Sequence, residues 1–344
     1  MNKETPITSK DLKIYTLTNK KGSRLKLLNL GATIFSLFIK DKDGKEVNVV
    51  VGPKNPEDYI SAEYLNENRC FGASIGRFAG RISNGEFELE GKKHSLFQKN
   101  GVHLHGGFSG LQHKIWTLET ENKTMNPSIT LSCFSEDLEE GYPGNLKAEV
   151  KYTLSENDEL QIEYSATTDK KTPVNLTNHT YFNLNGKGSV SDHQLCINAE
   201  NILEVDEKLR PTGKLHLLQD HPKNFSEAKE IQKLEVDDTF VLEKDKKIAA
   251  IVYSSQTGIE MRVITNQPAV VVFIPKHLPK KWEYQTNISS KFPSICLETQ
   301  NYPDAPNHTN FPSAILNPGE TYLNKSQFHF LKKGSQEPRI KNKD

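Results

Sequence analysis

The fold is indicated by residues 146–166, LKAEVKYTLSENDELQIEYSA. Apolar and polar residues alternate from Leu146 to Leu154 and again from Leu160 to Ala166. A period of two places the apolar side chains on one face of a strand, whereas a helix would need a period near 3.6. The polar segment 155–159 between the two halves predicts a tight turn. The stretch therefore predicts two antiparallel strands.

Turn dipeptides typical of hairpins recur along the chain, at Asp43-Gly44, Asn84-Gly85, Asn100-Gly101 and Asn185-Gly186. Such dipeptides supply the positive φ angles that tight hairpins need. Helix signals are confined to residues 55–64, which open with Asn-Pro and early acids, and to residues 226–234. We therefore predict an all-β fold, a large antiparallel β-sandwich.

The chain shows no linker that would divide it, so we predict a single domain over residues 11–331. Residues 1–10 are predicted to be an N-terminal extension. The polar and charged residues 332–344 are predicted to be a disordered tail.

The composition excludes several classes of partner. Forty-four basic residues balance 44 acidic residues, which argues against a nucleic-acid or anionic-membrane partner. No apolar run approaches the about 18–20 residues needed to span a bilayer, and the N-terminus has no apolar stretch typical of a signal peptide. We expect a cytoplasmic protein. Its cysteines are too widely spaced for a disulfide framework and are expected to be small buried hydrophobes: Cys70, Cys133, Cys196 and Cys296.

One acid stands at the end of an apolar, strand-like segment in residues 295–312, ICLETQNYPDAPNHTNFP. A carboxylate such as Glu298 is costly at the end of a buried strand unless it is paired or used. The prolines that follow predict a stiff loop beside it. The run resembles the C-terminal signature of the aldose 1-epimerases of the galactose mutarotase family. The resemblance implies that Glu298 is the catalytic base and that the fold is the family's large sandwich, or supersandwich.

A second cluster of polar groups lies in residues 173–184, PVNLTNHTYFNL. Amides and hydroxyls around a histidine can hold its imidazole in one orientation and tautomer. The segment resembles the family's Asn-x-Thr-x-His-x-Tyr-Phe-Asn-Leu motif. The resemblance implies that His179 is the catalytic histidine.

Two arginines lie four residues apart in the glycine-containing segment 72–87. The segment lacks the Gly-Lys-Ser/Thr of a phosphate loop. On a strand Arg77 and Arg81 would share a face, and either could bind a ligand or tie loops together. The segment resembles the family's Gly-Arg-x-x-Asn-Arg-Ile stretch, which implies that Arg81 contacts substrate. Gly80 stands where asparagine is usual.

Two histidines lie two residues apart in residues 100–107, NGVHLHGG, so on a strand both would point the same way. This spacing would allow the two histidines to bind a metal ion together, but no Asp or Glu that could be a further ligand is close in sequence. The run resembles the family's Leu-His-Gly-Gly pattern, which implies that His105 binds the sugar. The glycines after it would let the backbone pass close to the ligand.

Paired acids lie beside apolar strand residues in residues 234–242, LEVDDTFVL. They could form a calcium-binding corner of the sheet or a charged edge that is exposed to solvent. The segment resembles the family's Asp-x-x-Phe stretch, which implies that Asp237 accepts a hydrogen bond from a sugar hydroxyl.

Near Val272 the family often has a pocket glutamine, so this chain departs there. The turn that contains Tyr142 is expected to be scaffold, with Tyr142 a candidate for the pocket wall.

The resemblance spans about residues 31–330 and implies interconversion of the α and β anomers of free aldohexoses such as glucose and galactose. Glu298 would act on the C1 hydroxyl and a protonated His179 on the ring oxygen, while Arg81, His105 and Asp237 would bind substrate. No cofactor or metal is expected, and the protein is expected to be a monomer or homodimer. Three alternatives stay open: a hexose-6-phosphate epimerase, a non-catalytic sugar-binding module, and a hydrolase that uses two carboxylates.

Overall fold

The computed structural model describes residues 6–333, and most of the regular structure in that range is β-strand. The strands are β1 (Ile14–Thr18), β2 (Arg24–Leu28), β3 (Thr33–Lys40), β4 (Glu46–Asn48), β5 (Val50–Val51), β6 (Ser74–Ile75), β7 (Arg81–Ser83), β8 (Glu86–Leu89), β9 (Lys92–Ser95), β10 (Val102–Leu104), β11 (Thr117–Asn122), β12 (Ser128–Ser135), β13 (Leu146–Leu154), β14 (Glu159–Thr168), β15 (Thr172–Pro173), β16 (Thr177–Asn178), β17 (Tyr181–Phe182), β18 (Gln194–Ile197), β19 (Ala199–Val205), β20 (Pro211–Leu217), β21 (Lys229–Glu230), β22 (Val236–Leu242), β23 (Ala250–Tyr253), β24 (Ile259–Thr265), β25 (Ala269–Ile274), β26 (Ile295–Gln300), β27 (Ile315–Leu316) and β28 (Tyr322–Lys332).

Helices are short. One α-helix is present in residues 6–333, α1 (Ala62–Glu67). The 3-10 helices are Ser9–Asp11, Pro56–Ile60, Leu111–His113, Glu139–Gly141 and Ala305–Asn307.

Two large antiparallel sheets form the body of the protein. A nine-stranded sheet has the order β11-β12-β13-β14-β28-β24-β23-β18-β21, and a seven-stranded sheet has the order β20-β19-β22-β25-β26-β17-β5. The predicted hairpin is the pair β13 and β14, in register from Leu146 opposite Thr168 to Leu154 opposite Leu160. A four-stranded sheet, β1-β2-β3-β4, packs on the same core.

The core lies between the two large sheets. Val150 from the nine-stranded sheet and Val270, Val272 and Leu297 from the seven-stranded sheet belong to one buried apolar cluster. Burying an aliphatic side chain of this size stabilises the fold by about 1.5–3 kcal/mol. The predicted all-β sandwich is confirmed.

The local predictions had mixed outcomes. Asn100 and Gly101 both have positive φ angles, +56° and +80°, and form a two-residue turn between Lys99 and Val102. Residues 55–64 are helical as predicted, with Ser61 capping α1 by accepting a hydrogen bond from the Tyr64 amide. The predicted helix at 226–234 is wrong. The segment instead contributes the edge strand β21, whose backbone pairs with β18.

The four cysteines are buried, as predicted. Within the described residues no helix is both long and apolar enough to cross a bilayer. The predicted tail begins at Lys332, which is the last residue of β28, and residues 334–344 lie outside the described range.

Candidate active site

A pocket of about 290 Å³ lies on the outer face of the seven-stranded sheet. This is near the lower end of the range for ligand pockets, about 300–1,000 Å³, and suits one small molecule. The lining residues come from distant parts of the chain: Glu67, Asn68, Arg69, Gly80, Arg81, Leu104, His105, His179, Tyr181, Val205, Leu209, Pro211, Asp237, Thr239, Val271, Phe273, Glu298, Gln300 and Pro303. All five predicted site residues are among them.

The register of three neighbouring strands explains which side chains face the pocket. Asp237 on β22 pairs with Phe273 on β25, and Val271 pairs with Glu298 on β26. Residues that are paired across a sheet, and those two apart along a strand, share a face. These four side chains therefore project outward, while Val270, Val272 and Leu297 beside them in sequence enter the core.

His179 and Glu298 come together through the next strand of the same sheet. Tyr181 on β17 pairs with Cys296 on β26 in an antiparallel register. His179 precedes Tyr181 by two residues and Glu298 follows Cys296 by two, so the two side chains come opposite each other on the pocket face. The His179 Nε2 atom lies 3.6 Å from the Glu298 Oε1 atom.

Both members of this pair are almost fully buried, with 5% of His179 and 2% of Glu298 exposed. Within residues 6–333, neither Nδ1 of His179 nor Oε2 of Glu298 has a hydrogen-bond partner, although both atoms are buried. A buried polar atom left unpaired costs about 1–3 kcal/mol. The site therefore holds polar atoms whose burial the described part of the protein does not compensate.

The His179 ring is positioned by other rings rather than by the amides around it. It stacks on Tyr181 with centroids 5.0 Å apart and meets the edges of His105 and Phe273 at 5.4 and 6.1 Å. The neighbouring Asn178 amide instead donates to the Gly72 carbonyl. The sequence-based expectation that amides and hydroxyls orient the imidazole is therefore wrong, because those groups stabilise the backbone around it.

Burial also sets the protonation of the pair. It raises the pKa of Glu298 well above its ordinary value of 4.5; the Asp237 charge adds to the rise and Arg81 opposes it. Burial lowers the pKa of His179 to about 4, and the charge of Arg69 contributes to the fall. These shifts favour a neutral imidazole at neutral pH, whereas the sequence-based expectation is a His179 that carries a proton.

His105 lies in a turn beside the pair. Its backbone has a φ of +52°, its amide donates to the Gly80 carbonyl, and its Nδ1 atom accepts a hydrogen bond from the Gly80 amide at 3.2 Å. With Nδ1 occupied as an acceptor, the proton of the neutral ring is on Nε2 and can be donated. A side chain on Gly106 would place its Cβ atom 1.8 Å from the Gly76 carbonyl oxygen, so glycine is required there.

His103 does not share the pocket with His105. It is completely buried, with its ring nitrogens 2.5 Å from the Phe97 carbonyl oxygen and 2.6 Å from the Tyr142 hydroxyl. The predicted common direction of the two histidines is wrong, because the chain leaves strand geometry at His105. Tyr142 supports His103 and does not line the pocket.

The two arginines also separate. Arg81 forms an ion pair with Asp237, with Nη2 and Oδ2 3.2 Å apart, and both side chains line the pocket. The Arg77 guanidinium is buried and donates to the Ser135 hydroxyl and to the Ser135, Glu136 and Gly144 carbonyls at 2.6–2.9 Å. The expectation of a shared face is wrong, since the chain between β6 and β7 is not a strand.

The loop after Glu298 fixes the strand that carries Arg81. The Asp304 amide donates to the Arg81 carbonyl at 2.8 Å, and its carboxylate accepts hydrogen bonds from the amide and hydroxyl of Ser83. Pro303 in the same loop packs against Gly80, where a Cβ atom would lie 2.9 Å from the proline ring. The proline-containing loop therefore forms part of the pocket wall, as its stiffness suggested.

The structure changes two sequence-based expectations, one about Val272 and one about the paired acids Asp237 and Asp238. Val272 is completely buried in the core, so it cannot alter the pocket directly. Val271 and Phe273 line the pocket instead. The Asp238 carboxylate pairs with Lys223 and accepts a hydrogen bond from the Asp237 amide, whereas the Asp237 carboxylate pairs with Arg81, so the two carboxylates do not converge on a calcium site.

Several pocket residues escaped the sequence analysis. Tyr181 and Gln300 follow His179 and Glu298 by two residues, so the period of two could have identified them. Arg69 and Glu67, at the end of α1, gave no comparable signal.

His105, His179 and Glu298 also form a possible metal-binding group, since one ligand atom from each lies within 4.8 Å of the others. Imidazole and carboxylate suit divalent transition metals. The sequence gave no sign of this group, because its members lie on three distant segments.

Known proteins have similar sequences and structures. The family model for aldose 1-epimerase matches residues 13–329. Galactose mutarotase from Sus scrofa is 38% identical over 89% of this chain and 91% of its own length, and aldose 1-epimerase from Escherichia coli K12 is 33% identical over 96% and 99%. The crystal structure of an aldose epimerase homologue from C. elegans superposes with a TM-score of 0.86 at 28% identity, covering 94% of this chain and all of that one. The chain therefore belongs to the aldose 1-epimerase family.

Proposed function

We propose that the protein is a mutarotase that interconverts the α and β anomers of free aldohexoses such as glucose and galactose. Membership of the family makes it an isomerase. The observation that carries the proposal is the buried pair of His179 and Glu298, 3.6 Å apart at the base of a pocket for one small molecule.

The proposed reaction needs one base and one acid on neighbouring oxygens. Glu298 removes the proton of the C1 hydroxyl while His179 donates a proton to the ring oxygen O5, and the C1–O5 bond breaks. Rotation about C1–C2 turns the aldehyde, and ring closure with the reverse proton transfers gives the other anomer. Protons balance over the cycle, and no covalent intermediate forms. Each group in such catalysis typically contributes about 10²–10⁴-fold.

The remaining groups are proposed to orient the sugar. His105 offers the hydrogen on Nε2, and Arg81 and Asp237 offer a donor and an acceptor for hydroxyls. Because Arg81 and Asp237 already pair with each other, they are held in place before the ligand arrives. Preorganisation of this kind lowers the entropy cost of binding.

The alternatives have less support. Asp237 is occupied by Arg81, so it does not form a free second carboxylate for a hydrolase. Of the two arginines that could face the phosphate of a hexose 6-phosphate, Arg77 binds backbone carbonyls and Arg81 is paired with Asp237. A pure binding module would have no use for an unpaired buried carboxylate and imidazole.

The experiment is anomer exchange followed by polarimetry or NMR, starting from pure α-glucose and α-galactose, with Glu298→Gln as the matched inactive variant. We expect exchange well above the uncatalysed rate in the native protein. Exchange equal to the buffer blank would refute the proposal. Turnover of glucose 6-phosphate about a hundredfold more efficient than of both free sugars would establish the phosphosugar alternative.

The same assay tests the proposal that no metal is required. We expect activity to persist after treatment with a chelator. Complete and reversible loss would indicate that a metal held by His105, His179 and Glu298 takes part. We further propose a catalytic domain of residues 11–331, a cytoplasmic location and a monomeric or homodimeric state.

A further inference from the structure

Arg69 lines the pocket and is not used by the proposed reaction. It follows α1, and its carbonyl accepts a hydrogen bond from the Tyr181 hydroxyl at 2.7 Å. Tyr181 stacks on His179, so Arg69 lies at the His179 end of the pocket. Its charge also contributes to the lowered pKa of His179, which agrees with this proximity.

The Arg69 guanidinium can be reached from the pocket, because the side chain lines the pocket and 34% of it is exposed. Its Nε atom is buried and, within the described part of the chain, has no hydrogen-bond acceptor. Arg69 forms a long ion pair with Glu67, whose Oε2 atom is 3.7 Å from Nε and therefore beyond hydrogen-bond distance. Glu67 is also paired with Lys281 at 3.0 Å, so Arg69 is not needed to neutralise it.

The order of strands fixes how a pyranose would lie across the pocket. Asp237 stands on β22, Glu298 on β26 and His179 just before β17, in that order across the sheet. Adjacent strands are about 4.8 Å apart. With C1 at Glu298 and O5 at His179, C2 points back towards Asp237. C5, on the far side of O5, carries C6 past His179 towards the Arg69 wall.

We propose that Arg69 is a specificity-determining residue that donates a hydrogen bond to the C6 hydroxyl of an aldohexose. The inference rests on the proposed function, because it uses the placement of C1 and O5 given there. It assigns the substrate class: aldohexoses are preferred over aldopentoses, which lack C6. Sites that offer a charged donor to a substrate hydroxyl discriminate against analogues that lack the hydroxyl.

The test compares sugars that differ only in C6. Xylose is glucose without its C6 group, and L-arabinose stands in the same relation to galactose. For the native protein we expect kcat/KM to favour each hexose over its pentose by about tenfold or more. In Arg69→Gln the hexose values should fall about tenfold while the pentose values stay within about twofold, so the preference collapses.

Arg24→Gln is the matched control. The Arg24 side chain has the same exposed fraction as that of Arg69, 34%, and is likewise near a glutamate, Glu46, but it is not a pocket residue. The control should leave both ratios unchanged. An equal fall for hexose and pentose in Arg69→Gln, or a native protein without hexose preference, would overturn the inference. Failure of the native protein to turn over any of the four sugars would instead overturn the proposed function.

Discussion

The Nε2 atom of His179 lies 3.6 Å from the Oε1 atom of Glu298, and both side chains are almost completely buried. Burial disfavours the charged form of each group, so it raises the pKa of the carboxyl and lowers that of the imidazole. When the pair holds one proton, burial therefore favours the neutral arrangement, with the proton on Glu298. The ion pair, with the proton on His179, is the less favoured arrangement.

These two arrangements correspond to the two sides of ring opening in the proposed mechanism. The ion pair can accept the proton of the C1 hydroxyl and donate one to O5, and this transfer leaves the neutral arrangement. Ring closure reverses the transfer. A site that accommodates both arrangements can catalyse exchange in both directions, and sugar hydroxyls can offset the burial cost of the ion pair through hydrogen bonds.

We expect Glu298→Gln and His179→Gln each to lower kcat for glucose by about 10²-fold or more, because each removes one partner of the proton exchange. The double variant should lose less than the product of the single effects, since the two groups act in one step. Polarimetry of the three variants measures this. Near-normal exchange by folded Glu298→Gln would show that the base lies elsewhere, with Asp237 the next candidate.

The rate should depend on pH in a way that reflects the shifted pKa values. The one-proton form of the pair is lost at low pH when His179 is also protonated, so the acid limb of kcat/KM should have its midpoint near pH 4. It is lost at high pH when Glu298 ionises, above the ordinary range of a carboxyl. The profile is measured for glucose with the buffer rate subtracted and folding monitored by circular dichroism. An acid midpoint near 6.5, the ordinary value for histidine, would contradict the burial argument.

Glu298→Gln should stabilise the protein at alkaline pH. The pKa of Glu298 is higher in the folded than in the unfolded chain. Its contribution to the free energy of unfolding is therefore fully present below about pH 4.5 and is lost as pH rises through the folded pKa. The glutamine side chain of Glu298→Gln does not ionise, so it carries no cost of burying a charge at high pH. We expect its Tm to exceed that of the native protein by about 2 °C or more at high pH, with the difference vanishing near pH 4.5.

Calorimetry at both pH values tests this, with Glu46→Gln as the control because Glu46 is exposed and paired with Arg24 at the surface. The control should show no comparable gain. A lower Tm for Glu298→Gln at high pH would mean that the ionised carboxylate stabilises the fold.

The two arginines that lie four residues apart should behave differently. Arg77→Ala leaves several buried carbonyls without donors and should lower the free energy of unfolding by about 3 kcal/mol or more. Arg81→Ala removes a partly exposed ion pair and should cost about 1 kcal/mol or less. It should mainly raise KM for glucose, and Asp237→Asn should do the same. Urea unfolding and steady-state kinetics separate these effects. An Arg77→Ala protein of native stability, or an Arg81→Ala protein of unchanged KM, would contradict the assignment.

The sequence alone determined the fold class and the main members of the site. Alternation in residues 146–166 specifies strands because side-chain direction has a period of two, whatever the partner strand is. The motifs around His179 and Glu298 pointed to the central pair because they resemble the signatures of the aldose 1-epimerase family. The period of two could also have identified Tyr181 and Gln300, which follow His179 and Glu298 by two residues.

Tertiary structure decided which of several similar residues face the ligand and how they are charged. Val271 faces the pocket and Val272 the core, because a shift of one residue in a strand reverses the side chain's direction. His105 differs from His103, and Arg81 from Arg77, because turns between the strands separate neighbours in sequence. Arg69 reaches the pocket through the end of α1. The opposite pKa shifts of Glu298 and His179 arise from loss of water, which depends on everything packed around them and on no local pattern.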